Sequence, residues 1–164
     1  MPLGANKAAI FGVAGVSTAD VVLLSENTDT TDLESIDITS GIDSTYGEYI
    51  FKFYNINPAT DNTKFSVQFN VAGGSGFNET VTTTYFNAYH QEDGSNGSLG
   101  YTAGSDQAEG TAYQSLADGI GNASDESCSG VMHLFNPAST TYVKHFYSRC
   151  TFVENTPATN EVYV

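Results

Sequence analysis

The sequence predicts an all-β domain: an antiparallel β-sandwich of jelly-roll-like form, preceded by an extended N-terminal arm. Three observations lead there. From about residue 28 onward apolar residues alternate with polar ones at a period of two, as on half-buried antiparallel strands. No window of about a dozen residues keeps a 3.6-residue period clear of Gly or β-branched clusters, so helix signals are nearly absent. Gly-rich stretches at residues 73–76, 94–100, 104 and 119–121 fall between the alternating runs, where hairpin and Greek-key connections belong.

The arm is residues 1–27 and the sandwich residues 28–164. Residues 1–24 are small and apolar, with glycines at 4, 12 and 15 and Lys7 as the only cation. Lys7 and residues 8–16 imitate a secretory signal weakly, but the glycines interrupt the apolar stretch such a signal needs. Glycine gives up the most backbone entropy on ordering, so a segment like this seldom folds alone. Its apolar side chains favour burial in a partner's groove, which makes Leu3, Ala8, Ile10, Phe11 and Val13 the candidate docking residues.

Along the sandwich, residues 33–38 give a weak strand signal. Residues 48–56 (EYIFKFYNI) are apolar on both faces and read as a central strand, and residues 57–62 (NPATDN) supply turn chemistry. Residues 64–71 (KFSVQFNV) set Phe65, Val67, Phe69 and Val71 on one face and polar residues on the other. Residues 81–90, 129–135 and 142–153 complete the strong strands, with 114–120 as a second weak one.

One hairpin is legible in detail. If the loop at residues 136–141 turns about Ser139, then Met132 faces Phe146, Val131 faces Tyr147, Phe135 faces Val143, His133 faces His145 and Cys128 faces Cys150. Opposed Cβ atoms sit ~4.5–5.5 Å apart, near the separation a disulfide uses. The two cysteines therefore either bridge or stay as small buried thiols, the commoner state of a free Cys. The histidines lie on the opposite face. They fall short of the three or four ligands zinc normally takes, with His90 a candidate third only through tertiary contact, so a stacked or hydrogen-bonded pair within the sheet is the better reading and no metal is expected.

Length and charge limit the function. A chain of 164 residues with 40% hydrophobic residues supports one folded core. Five Lys+Arg against 19 Asp+Glu leave a net charge of −14, which repels phosphate backbones and anionic lipid. Nucleic acid is therefore not an expected partner, nor is membrane insertion, since no apolar run nears the ~18–20 residues a spanning helix needs. The acids are scattered singly, as on a solvated folded surface rather than a disordered tail.

No catalytic signature emerges. Gly73-Gly74-Ser75-Gly76-Phe77 fails the GxSxG pattern at its fifth position, and HExxH, P-loop and dinucleotide motifs are missing. Near neighbours such as Asp29/Asp32, Glu92/Asp93 and Asp125/Glu126 are expected by chance among so many acids. Asp93-Gly94-Ser95-Asn96-Gly97 lacks the spaced acids of a calcium loop and reads as a solvated turn. The expectation is a non-enzyme without cofactor. Tyr46, Tyr54, Tyr85, Tyr89, Tyr101 and Tyr113 remain as residues able to stack on a sugar or pack at a subunit interface, because Tyr offers large area at low entropic cost.

Three runs, IDITSGIDSTYGEYIFKF at residues 36–53, INPATDN at 56–62 and MHLFNPASTTYVKHF at 132–146, together resemble a β-rich module of virion structural proteins of tailed phages, marine ones especially. The opening MPLGANKAA resembles a leader found on other surface proteins of such phages. The resemblance implies a tail fibre, tail tip or capsid decoration protein on the virion surface. Its partners would be other capsid or tail proteins and further copies of itself, a trimer among the forms. An adhesin that grips a host-surface glycan is the alternative. Members of the family continue with further strands, so the resemblance implies either a truncated or short member or a neighbouring subunit that supplies the missing strands, the second favoured because an open sheet edge invites strand addition. It carries over no catalytic residues.

Overall fold

The computed structural model describes residues 21–28, 33–156 and 158–164. Leu3, Ala8, Ile10, Phe11 and Val13 lie outside them. The chain divides into two compact units, Met1–Leu33 and Glu34–Val164. In the first, residues 21–28 form neither helix nor strand.

The second unit is the expected all-β sandwich, and no helix occurs among the described residues. Its strands are β1 (Glu48–Ile56), β2 (Thr63–Val67), β3 (Phe86–Gln91), β4 (Gly97–Tyr101), β5 (Gln114–Ile120), β6 (Cys128–Phe135), β7 (His145–Val153) and β8 (Ala158–Tyr163). They form a six-stranded sheet in the order β1-β6-β7-β8-β3-β4 and a two-stranded sheet, β2-β5, with every pairing antiparallel. The smaller sheet packs through β5 on β7 and β8.

Period-two alternation gives the large sheet two distinct faces. On the inner face Tyr49, Cys128, Met132, Leu134, Ser148, Cys150, Phe152 and Val162 are buried. They meet Leu116, Ala117 and Ile120 of β5 and Tyr85, and the aromatic pairs Phe53–Phe65 (4.8 Å) and Phe69–Phe146 (5.2 Å) extend the same layer. Burial of this kind is worth ~25 cal/mol per Å² of apolar area and is what holds the small sheet on the large one.

Several expectations need correction. β1 is an edge strand, not a central one; its outward residues Ile50 and Tyr54 are apolar yet 38% and 70% exposed. The strand expected over 64–71 stops at Val67. There the Gln68 side chain turns inward, donating to the Thr111 and Ala112 carbonyls at 2.7 and 2.9 Å and accepting the Phe69 N–H, which takes the ladder's place. The strand expected over 81–90 begins at Phe86, because Val81 bonds Gly110 as an isolated bridge. Residues 33–38 form no strand, whereas residues 97–101, read as Gly-rich connection, form β4, and β8 is a further strand.

The β6–β7 register is displaced by two residues. Met132 faces Ser148, Val131 faces Arg149, His133 faces Tyr147, Phe135 faces His145, Cys150 faces Gly130 and Cys128 faces Phe152. The displacement comes from the loop. Asn136, at φ 45, starts a turn closed by the Ser139 N–H on the Asn136 carbonyl, and the Ser139 hydroxyl then accepts the N–H groups of Thr141 and Tyr142. Val143 is left in the loop, 77% exposed. A shift of two preserves the faces, so the cysteines stay inside and the histidines outside.

Candidate functional site: the outer face of the six-stranded sheet

The outer face is built by the alternate residues of six neighbouring strands. The cross-strand registers place Lys52, Val131, Arg149, Tyr163, Phe86 and Tyr101 in a single row from edge to edge. A second, shorter row is Ile50, His133 and Tyr147, and a third is Glu48, Phe135 and His145. Phe86, Tyr101, Tyr147 and Tyr163 are all more than two-fifths exposed, unusual for rings that have a core available to them.

The side chains order one another. The His133 and Tyr147 rings stack at 4.6 Å with 10° between their planes, and Phe135 closes the trio at 5.9 Å from Tyr147. Glu48 Oε1 lies 2.6 Å from His133 Nδ1 and fixes the imidazole from the neighbouring strand. The Arg149 guanidinium sits 5.4 Å from the Tyr163 ring centroid, a cation–π distance, and Phe86 meets Tyr101 edge to face at 5.5 Å. Rings held by cross-strand neighbours lose little entropy when a partner lands on them, which favours them as anchors.

The charge on this face is unlike the rest of the chain. Two of the five Lys+Arg residues, Lys52 and Arg149, and all three histidines, His90, His133 and His145, project from it. Glu48 contributes an acid to the same face, against His133. On a chain of net charge −14, an aromatic face that carries Lys52, Arg149 and the histidines is a surface that an acidic neighbour can approach with little repulsion.

The tyrosines expected from the sequence are not gathered into one site. Tyr101 belongs to the outer face, and its hydroxyl donates to Asp106, a contact that raises its pKa above the ordinary value. Tyr113 is 59% exposed and lines a separate open groove of about 300 Å³ with Lys64, Ser105, Asp106 and Gln107. Gln114 shapes that groove from beneath by donating to the Ser105 carbonyl at 2.9 Å and accepting the Thr83 hydroxyl at 2.6 Å. Tyr46 packs edge to face on Tyr49 at 5.9 Å. Tyr89 is half-buried, and its hydroxyl accepts from Asn96 Nδ2 at 3.0 Å. Tyr54 is exposed at the β1 edge.

Tyr85 needs correction as a contact residue: it is 1% exposed and belongs to the core. Burial pushes its phenol well above the ordinary range, with the Asp118 charge adding to the effect.

Cys128 and Cys150 are free thiols, both fully buried, on the inner face. They are diagonal neighbours rather than opposed ones, and a hydrogen bond between them, with burial, holds the Cys128 thiol above its usual range. The histidines do not converge either. His90 opposes Gly97 and Thr159, with β7 and β8 between it and His133, and no group of three metal-ligating side chains occurs among the described residues.

Sequence reasoning missed Phe86, Tyr147, Arg149 and Tyr163. For Tyr147 and Arg149 the signal was there: the odd-numbered residues of 129–135 and 145–153 share a face opposite the cysteines in either register, whereas Phe86 and Tyr163 join them only through the β8 pairings. No known protein family, curated protein or solved structure matches the chain.

Proposed function

We propose that this protein is a non-enzymatic virion structural protein that presents its β-sandwich on a phage particle and makes its contacts through the outer face of the six-stranded sheet. The observation that carries the reading is the edge-to-edge row Lys52, Val131, Arg149, Tyr163, Phe86 and Tyr101, with the stacked His133, Tyr147 and Phe135 beside it. The phage setting rests on the sequence resemblance. An inner face devoted to packing and an outer face rich in exposed rings fit a module that binds by surface rather than in a cleft.

The stacked trio also favours a second reading, a glycan-binding adhesin, because an exposed Tyr147 ring is a platform for the apolar face of a sugar. One pair of variants separates the two. Under the structural reading, Tyr147→Ala and Phe86→Ala leave a folded domain that no longer enters particles. Under the adhesin reading they enter particles normally and lose only attachment to host cells. Normal entry together with normal attachment overturns both.

A further inference from the structure

We infer that the open edge of β1 is a self-complementary dimer interface, on which a second copy of this chain adds its own β1 antiparallel about a two-fold axis through Ile50. The inference is independent of the particle reading above.

The backbone sets the register. The Asn136 N–H donates to the Gly47 carbonyl at 2.8 Å, so in the alternating antiparallel pattern Gly47, Tyr49 and Phe51 point their backbone groups at β6. Glu48, Ile50 and Lys52 therefore point theirs outward, and among the described residues no backbone group bonds this edge. A two-fold axis at Ile50 brings Ile50 against Ile50 of the second copy and Glu48 against its Lys52. Each is a pairing of outward-pointing residues that can exchange N–H and C=O bonds.

The side chains fit the same register. Residues 46–54 read YGEYIFKFY, a near-palindrome of opposite charge about Ile50. Glu48 of each chain meets Lys52 of the other, Ile50 meets itself, and Tyr46 comes beside Tyr54. All five are exposed in the single chain. A slip of four residues in either direction sets Glu48 against Glu48 or Lys52 against Lys52, and a slip of two loses both Glu48–Lys52 pairs, so the charges favour the register centred on Ile50. Charged residues on an edge normally discourage pairing; here one glutamate and one lysine placed symmetrically about Ile50 attract a second copy in that register. The contact is isologous, closes at two chains and continues the outer aromatic face into a sheet of twice the width.

The experiment is a charge-swap series on the full chain, read as molar mass by sedimentation equilibrium up to about 0.5 mM, the range where a single-strand interface should register. The wild-type chain is expected to be a dimer that dissociates on dilution. E48K alone and K52E alone set like charges face to face twice per dimer, and each should weaken association about ten-fold or more. An equimolar mixture of E48K and K52E restores both attractions and should return a heterodimer at wild-type strength. Among the described residues none bonds the exposed Lys52 side chain, so K52E keeps the fold. Should E48K fail to fold, Ile50→Lys, which sets two lysines together on the axis, replaces it and should abolish the dimer. A wild-type chain monomeric at the highest concentration overturns the inference, as does a dimer indifferent to K52E or a mixture that remains monomeric.

Discussion

Cys150 packs its sulfur over the Cα of Gly130, its direct partner across the β6–β7 ladder. A Cβ built on Gly130 would lie 2.6 Å from Cys150 Sγ and 2.6 Å from the Arg149 carbonyl oxygen, and since the second atom is backbone the strands themselves would have to move. Gly130→Ala should therefore cost about 1–3 kcal/mol in denaturant unfolding. Gly100→Ala in β4, where the added carbon meets nothing within 4 Å, should change stability by less than about 1 kcal/mol. Equal losses at the two positions would show that the β6–β7 register is different.

The buried thiols make a kinetic prediction. Cys128 and Cys150 are both fully buried, so a reagent that must reach the sulfur is kept from either one in the folded chain. Native protein should therefore resist iodoacetamide over hours and take up two labels once unfolded. Rapid native labelling of either residue would contradict their placement in the core.

Tyr85 gives a pair of opposite outcomes. Its ring fills the centre of the core, but its hydroxyl has no hydrogen-bond partner there. Tyr85→Ala should cost about 3–5 kcal/mol, as truncation of a large buried ring does. Tyr85→Phe removes only an unsatisfied polar atom and should be neutral or stabilising in thermal unfolding. A clear loss of stability in the Phe variant would mean that the hydroxyl is bonded after all.

Asp43 carries the pH prediction. The Thr45 side chain and the Thr45 N–H, at 2.7 Å, bond its carboxylate, the Tyr49 hydroxyl lies 3.1 Å away, and together they hold its pKa below the ordinary carboxylate value. A folded-state pKa below the unfolded value means that the stabilisation is present above the unfolded pKa and lost as pH falls through the folded one. An NMR titration should place the Asp43 midpoint below 3.8 in the folded chain, and replacing Tyr49 by Phe should move it upward. A midpoint above 3.8 would show that the bonds of Asp43 to Thr45 and Tyr49 do not form.

Much of the fold was legible because alternation is a direct imprint of a two-faced sheet. β1, β5 and β6 stand within a residue of where the pattern puts them. What was illegible depended on partners. β4 reads GSLGY, a Gly-rich connection by composition, and is a strand only because β3 pairs along its whole length. The β6–β7 register turned on the left-handed Asn136, which neighbouring residue types do not announce. The misplacement of β1 is the most informative. Apolar residues on both its faces imitate a central strand, but the outward ones belong to an exposed aromatic surface. The feature that misled the reading of the fold is thus the feature that marks the candidate site.

The most direct test of the central proposal is cryo-electron microscopy of intact particles at a resolution that traces this chain. Density for the sandwich is expected on the particle surface, with Phe86, Tyr147, Arg149 and Tyr163 pressed against a neighbouring subunit. Particles that lack the chain, or that hold it with the outer face bare and every contact made elsewhere, would contradict it.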